Sequence, residues 1–283
     1  MSNLFLGWPN RIDEATISGG SWLSGLPLAN IKDRALSKVC RSTNATTGST
    51  VIDIDLGQAR SLRALALQNH NLSQSGSWRV KFGTSAGASD VYSGSYQAAW
   101  FLNFDSGQLE WGGNNWWDGT VDDDYIRHPY IAPMLLPTWY SARHVRIEID
   151  DTTNPDGYIQ IGRVFVGGGF TPTLGAAYGL SEGWDDLSRL DYTLSGALVA
   201  DIGRRRRWAK FELGHIGQSD EAPTVHEMLR RLGTAGEVLY LPNTSNWQDC
   251  QRYGFVGRLR ELSPIEYPYY KARSIGLAIE ELI

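Results

Sequence analysis

The residues that could do chemistry in this chain are few. The densest acidic cluster is Asp122-Asp123-Asp124, with Glu110 upstream of it. Two carboxylates a few ångströms apart are the machinery of glycoside hydrolysis, and a carboxylate run also attracts Ca²⁺, which wants several oxygen ligands. The run lacks the spaced ligands of a dedicated Ca²⁺ loop and reads as a solvated acidic turn. The five histidines (70, 128, 144, 215 and 226) show neither H-x-x-x-H nor H-E-x-x-H spacing, so no metalloenzyme motif is present. Gly183 and Gly196 flank no serine of a nucleophile elbow. Gly167-Gly168-Gly169 is not followed by the Lys-Ser/Thr of a phosphate loop. The expectation is a protein that is not an enzyme and that carries no cofactor and no metal.

Binding chemistry is better represented. The chain has 11 Trp and 13 Tyr in 283 residues, and aromatics beyond core needs point to interfaces or ligand platforms. Many fall between 100 and 140. Trp111, Trp116, Trp117, Tyr125 and Trp139 are the candidate contacts to a partner or a glycan. This stretch reads first as an interface, second as closure of a sheet end, third as a sugar platform. The one basic run is Arg204, Arg205, Arg206 and Arg207, a candidate subunit contact. A net charge of −5 argues against a nucleic-acid surface. Cys40 and Cys250 are far apart and read as free buried thiols. No basic start followed by an apolar run suggests a leader, and no stretch approaches the roughly 20 apolar residues of a membrane span.

The elements that must position these residues are strands. Ile52, Ile54 and Leu56 alternate with Asp53 and Asp55, and Val145, Ile147 and Ile149 with His144, Arg146 and Glu148. Trp78, Val80 and Phe82 alternate with Arg79 and Lys81. A period of two marks strands with one face buried. Strands are expected at 50–56, 62–67, 77–82, 143–149 and 158–166. Residues 83–140 are expected to be irregular, broken by Pro129, Pro133 and Pro137. Gly167–Gly169 and Thr171-Pro172-Thr173 read as a linker. Beyond it, strands are expected at 190–200, 207–214, 237–241, 253–260 and 273–280. One helix, 220–232, carries Val225, Met228, Leu229 and Leu232 on one face, with Asp220 as cap and Gly233 as stop. The fold class is mainly β: a sandwich over 1–168, then a sheet domain over 176–283 with one helix.

These patterns carry two resemblances. The Ile52–Gly57 strand, Arg143-His144-Val145-Arg146-Ile147-Glu148-Ile149, the Ile159–Gly167 strand and the opening Leu26–Asp33 with Cys40-Arg41-Ser42 resemble the galactose-binding-like jelly roll of discoidin and coagulation-factor C-type domains. In such domains Asn30 and Asp33 fall where a structural Ca²⁺ loop is sometimes built. The block from Leu213 to Asn243, the Trp247-centred turn and the closing strand to Glu281 resemble distal and minor tail proteins of long-tailed phages. That resemblance implies a tail-tube-like second domain and a virion component made in the bacterial host cytoplasm. It implies a ring homo-oligomer, hexameric or trimeric, joining the tail tube to the hub or fibre proteins. A cell-surface glycan is a further partner on this reading; membrane insertion and specific nucleic-acid binding are not expected. The alternative is a stand-alone carbohydrate-binding, lectin-like protein, with a glycan hydrolase behind it.

Overall fold

The computed structural model describes residues 3–101, 111, 128, 130–217, 221–268 and 270–283. The first half contains β1 (Phe5–Gly7), β2 (Thr16–Ser18), a 3₁₀ turn (Leu28–Lys32), β3 (Cys40–Arg41), β4 (Ile52–Gln68), β5 (Ser77–Gly83), β6 (Tyr92–Ser93), β7 (Gln97–Ala98), β8 (Ile131–Asp150), β9 (Gln160–Ile161) and β10 (Arg163–Gly167). The long strands β4 and β8 pair antiparallel along their length, with register shifts at Asp55/Arg60 and Leu62/Ala64. Such irregularities bend a ladder, and here they let the two strands serve two layers. Residues 52–55 of β4 pair with 144–147 of β8, with β2 and β5 alongside. Residues 64–68 pair with 131–135, with β10 alongside. Between the layers lies one core, with Ile52, Ile54, Leu56, Trp78, Val80, Phe82, Val145, Ile147 and Ile149 from the first and Leu65, Leu67, Val164 and Val166 from the second. The alternation in the sequence selects these inward residues, and the first half is the expected jelly-roll sandwich.

One expectation fails here. β8 begins at Ile131 and runs through Pro133 and Pro137. Among the described residues its first half has a strand partner on one side only, β4, and such an edge tolerates a residue without an N–H. Pro137 falls in the register shift, outside the paired residues.

The second half contains β11 (Ser181–Asp186), β12 (Arg189–Tyr192), β13 (Leu198–Asp201), β14 (Arg205–Gly217), α1 (Glu221–Leu232), β15 (Glu237–Leu241), α2 (Trp247–Tyr253), β16 (Phe255–Leu259) and β17 (Ala272–Glu281). A six-stranded antiparallel sheet has the order β1-β15-β16-β17-β14-β11, so the first strand of the chain lies in the sheet of the second half. Helix α1 buries Val225, Met228 and Leu232 on that sheet, as its spacing requires, and stops at Gly233 with φ +54. Its proposed cap Asp220 lies outside the described residues. Helix α2 was legible only as a turn. Asn246 caps it by accepting from the Gln248 N–H at 3.0 Å, and the chain leaves it at Gly254.

Strands buried on both faces fuse the halves, β4, β10 and β15 among them. On β4, Leu65 and Leu67 enter the sandwich core, while Ala64 and Ala66 face the second sheet. On β10, Val164 and Val166 point inward and Phe165 outward. On β15, Val238 and Tyr240 face α1, and Leu239 and Leu241 face the sandwich. Phe5, Ile131, Cys250 and Val256 complete this seam. The order of layers is therefore sheet, sheet, sheet, helix. The Gly run expected as a linker is packed into the seam: a Cβ on Gly169 would overlap the Phe5 ring, and Phe170 and Leu6 exchange backbone hydrogen bonds. Within the seam, Arg163 Nη2 meets Glu237 Oε1 at 2.8 Å, both side chains 1% exposed. Asn10 Nδ2 donates to Glu237 Oε2 at 2.7 Å, and Gln251 Nε2 on α2 donates to the Ala99 carbonyl at 2.8 Å.

Two stability outcomes follow. Trp78→Ala empties a fully buried site and is expected to cost about 3–5 kcal/mol in urea unfolding, against under 1 kcal/mol if the ring were peripheral. Arg163→Met strands a buried carboxylate and is expected to cost about 3–5 kcal/mol, most of it recovered in the Arg163→Met/Glu237→Leu double variant, because removing both partners spares the desolvation of either. A double variant as unstable as the single one would contradict this assignment.

Candidate functional site

Strands β11 and β14 form a hairpin that pairs Ser181–Asp186 with Arg205–Lys210 inside the second sheet. The hairpin does not end there. It continues as β12 and β13, pairing Arg189 with Asp201 and Tyr192 with Leu198. The expected single strand 190–200 is thus two strands around a turn. Thr193 makes that turn: its N–H donates to the Ala197 carbonyl at 2.9 Å, and its hydroxyl accepts from the Ala197 N–H at 3.0 Å. Gly196 takes φ +82 there. At the base, the Ser188 N–H donates to Asp186 Oδ1 at 2.9 Å, and the Gly203 N–H to Ser188 Oγ at 3.0 Å.

Every residue of β12 and β13 is exposed. Leu187, Leu190, Tyr192, Leu194, Leu198, Val199 and Ile202 all lie in water, Leu194 completely. Arg189 lies 3.7 Å from Asp191, and Arg205 lies 3.8 Å from Asp186, both loose surface pairs. An isolated two-stranded ribbon is marginal in water, and contiguous apolar surface of this kind marks an interaction site. The β13 edge, Ala197–Ala200, carries no proline and no charge, the usual guards against pairing with another chain.

A cleft of about 1100 Å³ opens where the base of this arm meets the sandwich, lined by Asn69, His128, Trp184, Asp186, Arg204 and Arg205 among others. Trp184, on β11, is half exposed, and the His128 ring meets it edge-on at 4.9 Å. Behind His128 lies a buried ion pair. Arg207 Nε donates to Glu281 Oε2 at 3.0 Å, its Nη2 contacts Glu281 Oε1, and His128 Nε2 lies 3.5 Å from the same carboxylate. The Arg207 guanidinium also covers the Tyr130 ring at 5.1 Å. Burial works to raise the Glu281 pKa, but the His128 contact and the Arg207 charge outweigh it and bring it down to about 2.

The sequence candidates separate. Trp116, Trp117 and Tyr125, with Glu110 and Asp122–Asp124, lie outside the described residues. Trp111 is exposed. Trp139 is half exposed, 5.9 Å from the Arg63 guanidinium and against Gly168. The arginine run does not act as one patch, because burial deepens along it from Arg205 to Arg207. Arg204 and Arg205 line the cleft. Arg206 pairs with Asp185 and with Glu280, each at 3.2 Å. Arg207 is buried and committed to Glu281, so it is corrected from surface contact to internal support. Asn30 donates to the Val39 carbonyl at 2.8 Å, and Asp33 accepts from the Ala35 N–H at 2.9 Å and from Lys38, so both are engaged within their own loop. Among the described residues no group of three or more His, Cys, Asp or Glu is placed to hold a metal ion, and no helix is long and apolar enough to cross a membrane. Cys40 and Cys250 are buried free thiols. Sequence reasoning missed the arm and Trp184. The signal was present in the apolar residues of 187–202, but their pattern alone reads as a buried strand.

No family model matches the sequence, and no curated protein matches it. Several solved structures overlap part of it. The family 32 carbohydrate-binding module of Clostridium perfringens NanJ, solved with galactose, is 11% identical over 56% of this chain and 97% of its own, with a TM-score of 0.37. The lectin-binding domain of lectinolysin, solved as a His 62 mutant with Lewis b, is 17% identical over 56% of this chain and 96% of its own, with a TM-score of 0.33. A family 89 glycoside hydrolase from Clostridium perfringens is 14% identical with a TM-score of 0.37, and the overlap spans 57% of this chain and 15% of that enzyme.

The Glu281 carboxyl supplies a pH test. Its folded pKa lies below the unfolded value, so its contribution is fully present above about pH 4.5 and is lost as pH falls towards 2. Glu281→Gln is expected to lose less stability than the wild type between pH 5 and about pH 2.5, by on the order of 2–3 kcal/mol in denaturant midpoints converted to free energy. Equal acid losses would show that Glu281 is not held in this pair.

Proposed function

We propose that this protein is a non-enzymatic structural component that works by assembly, of the kind found at the tail tip of long-tailed phages, where it joins the tail tube to the hub or receptor-binding apparatus as a ring. The observation that carries the assembly reading is the apolar arm, Leu187–Ile202. Its one arginine, Arg189, pairs with Asp191, and Asp201 is its one further charge, so it offers mainly apolar area and an open strand edge. Of the arginine run only Arg204 and Arg205 remain to flank a contact there. The placement in a virion and at the tail tip rests on the sequence resemblance of the second half.

The test is the mass of the purified protein by light scattering, with electron microscopy of the same fractions. The wild type is expected to form closed rings of three or six copies that persist at high salt, since apolar contacts are not screened. Leu194→Ser/Leu198→Ser is expected to be monomeric with an unchanged melting temperature. A wild-type protein that stays monomeric at high concentration would overturn the assembly reading.

A second reading, a saccharide-binding protein, is favoured by the cleft. It combines a half-exposed indole with Asn69 and Asp186, and aromatic platforms beside planar polar groups are what sugar rings require.

A further inference from the structure

We propose that the cleft at the base of the arm binds an acidic saccharide, an inference that rests on the saccharide reading and gives it a place and a chemistry. The cleft lies at the junction of the two halves, with His128 in its lining. Trp184 supplies the platform. Its ring is half exposed, fixed in β11 by pairing with Arg207, and held from behind by His128. An aromatic ring half exposed on a sheet strand presents a flat apolar surface to the C–H face of a sugar ring.

The polar groups around it converge from both halves. Asn69 sits in the left-handed region, φ +53, unusual for a residue other than glycine. Its Nδ2 donates to the Leu36 carbonyl at 2.7 Å, which fixes the amide; its Oδ1 takes no hydrogen bond among the described residues. Asp186 is engaged by the Ser188 side chain and N–H, and its Oδ2 lies 3.8 Å from Arg205, longer than a hydrogen bond. Two planar acceptors beside an indole suit vicinal hydroxyls.

Charge selects the acidic class. Arg204 forms no ion pair among the described residues, and Arg205 is 71% exposed in its loose contact with Asp186. The lining therefore holds two guanidinium groups against one side-chain carboxylate. A guanidinium binds a carboxylate through two parallel N–H donors, which an uncharged sugar cannot exploit. A neutral saccharide would leave Arg204 unmatched.

The experiment is titration calorimetry of the purified protein against matched pairs: 3′-sialyllactose with lactose, and trigalacturonate with galactotriose. The expected result is that the acidic member of at least one pair binds at least about tenfold more tightly than its neutral counterpart, more weakly as salt is raised. Arg204→Gln/Arg205→Gln is expected to erase that preference, and Trp184→Ala to abolish binding, each with a near-native melting temperature. Equal binding of acidic and neutral members would overturn the acidic assignment while leaving the saccharide reading standing. Binding that survives Trp184→Ala would overturn the site. Binding of no probe would overturn both.

Discussion

The pairing of Arg163 with Glu237 is the contact on which the rest depends. Each side chain is removed from water, and each comes from a different half of the chain. Neither charge is tolerable there alone, because burying an unpaired ion costs several kcal/mol. Asp13 adds a second carboxylate to Arg163 at 2.6 Å, and Asn10 adds a donor to Glu237. The apolar seam around them, Phe5, Ala64, Ala66, Phe165, Leu239 and Leu241, gives the area. The ions restrict how the halves meet, since sliding the sheets by one residue would separate Arg163 from Glu237. The alanines on β4 let the backbones approach, and glycine at 169 leaves room for Phe5.

That junction also sets the place of the cleft at the base of the arm. The cleft takes Asn69 from the end of β4 and Trp184, Arg204 and Arg205 from the base of the arm, so it exists only if the halves hold one geometry. A second buried pair, Arg207 with Glu281, ties β14 to the last strand and stands behind His128 and Trp184. The interior is thus ordered by two ion pairs, while every residue of β12 and β13 beyond them is exposed.

The parts of the fold legible in the sequence are those where one face is buried and the other wet. Ile52, Ile54 and Leu56, Trp78, Val80 and Phe82, and the Val225–Leu232 stripe announce their elements because water imposes the period on them. Where both faces are covered, as at Arg63–Leu67 and Glu237–Leu241, the pattern gives a strand but not its second neighbour. Pro133 and Pro137 concealed the first half of β8, since their tolerance depends on an open edge that is a tertiary property. The arm is the converse case: an apolar run with strand propensity looks buried, and only its position beyond the sheet exposes it. Arg204 to Arg207 looked like one basic patch, but β14 enters the packed sheet at Arg207, whose side chain is buried against Glu281, while Arg205 stays exposed. Of the site, the aromatic excess was legible, and the particular ring, Trp184, was not.

If the seam makes the two halves one body, differential scanning calorimetry on the purified protein should show it. The account predicts a single transition whose calorimetric and van't Hoff enthalpies agree per cooperative unit. Two separable transitions, one for each half, would contradict it.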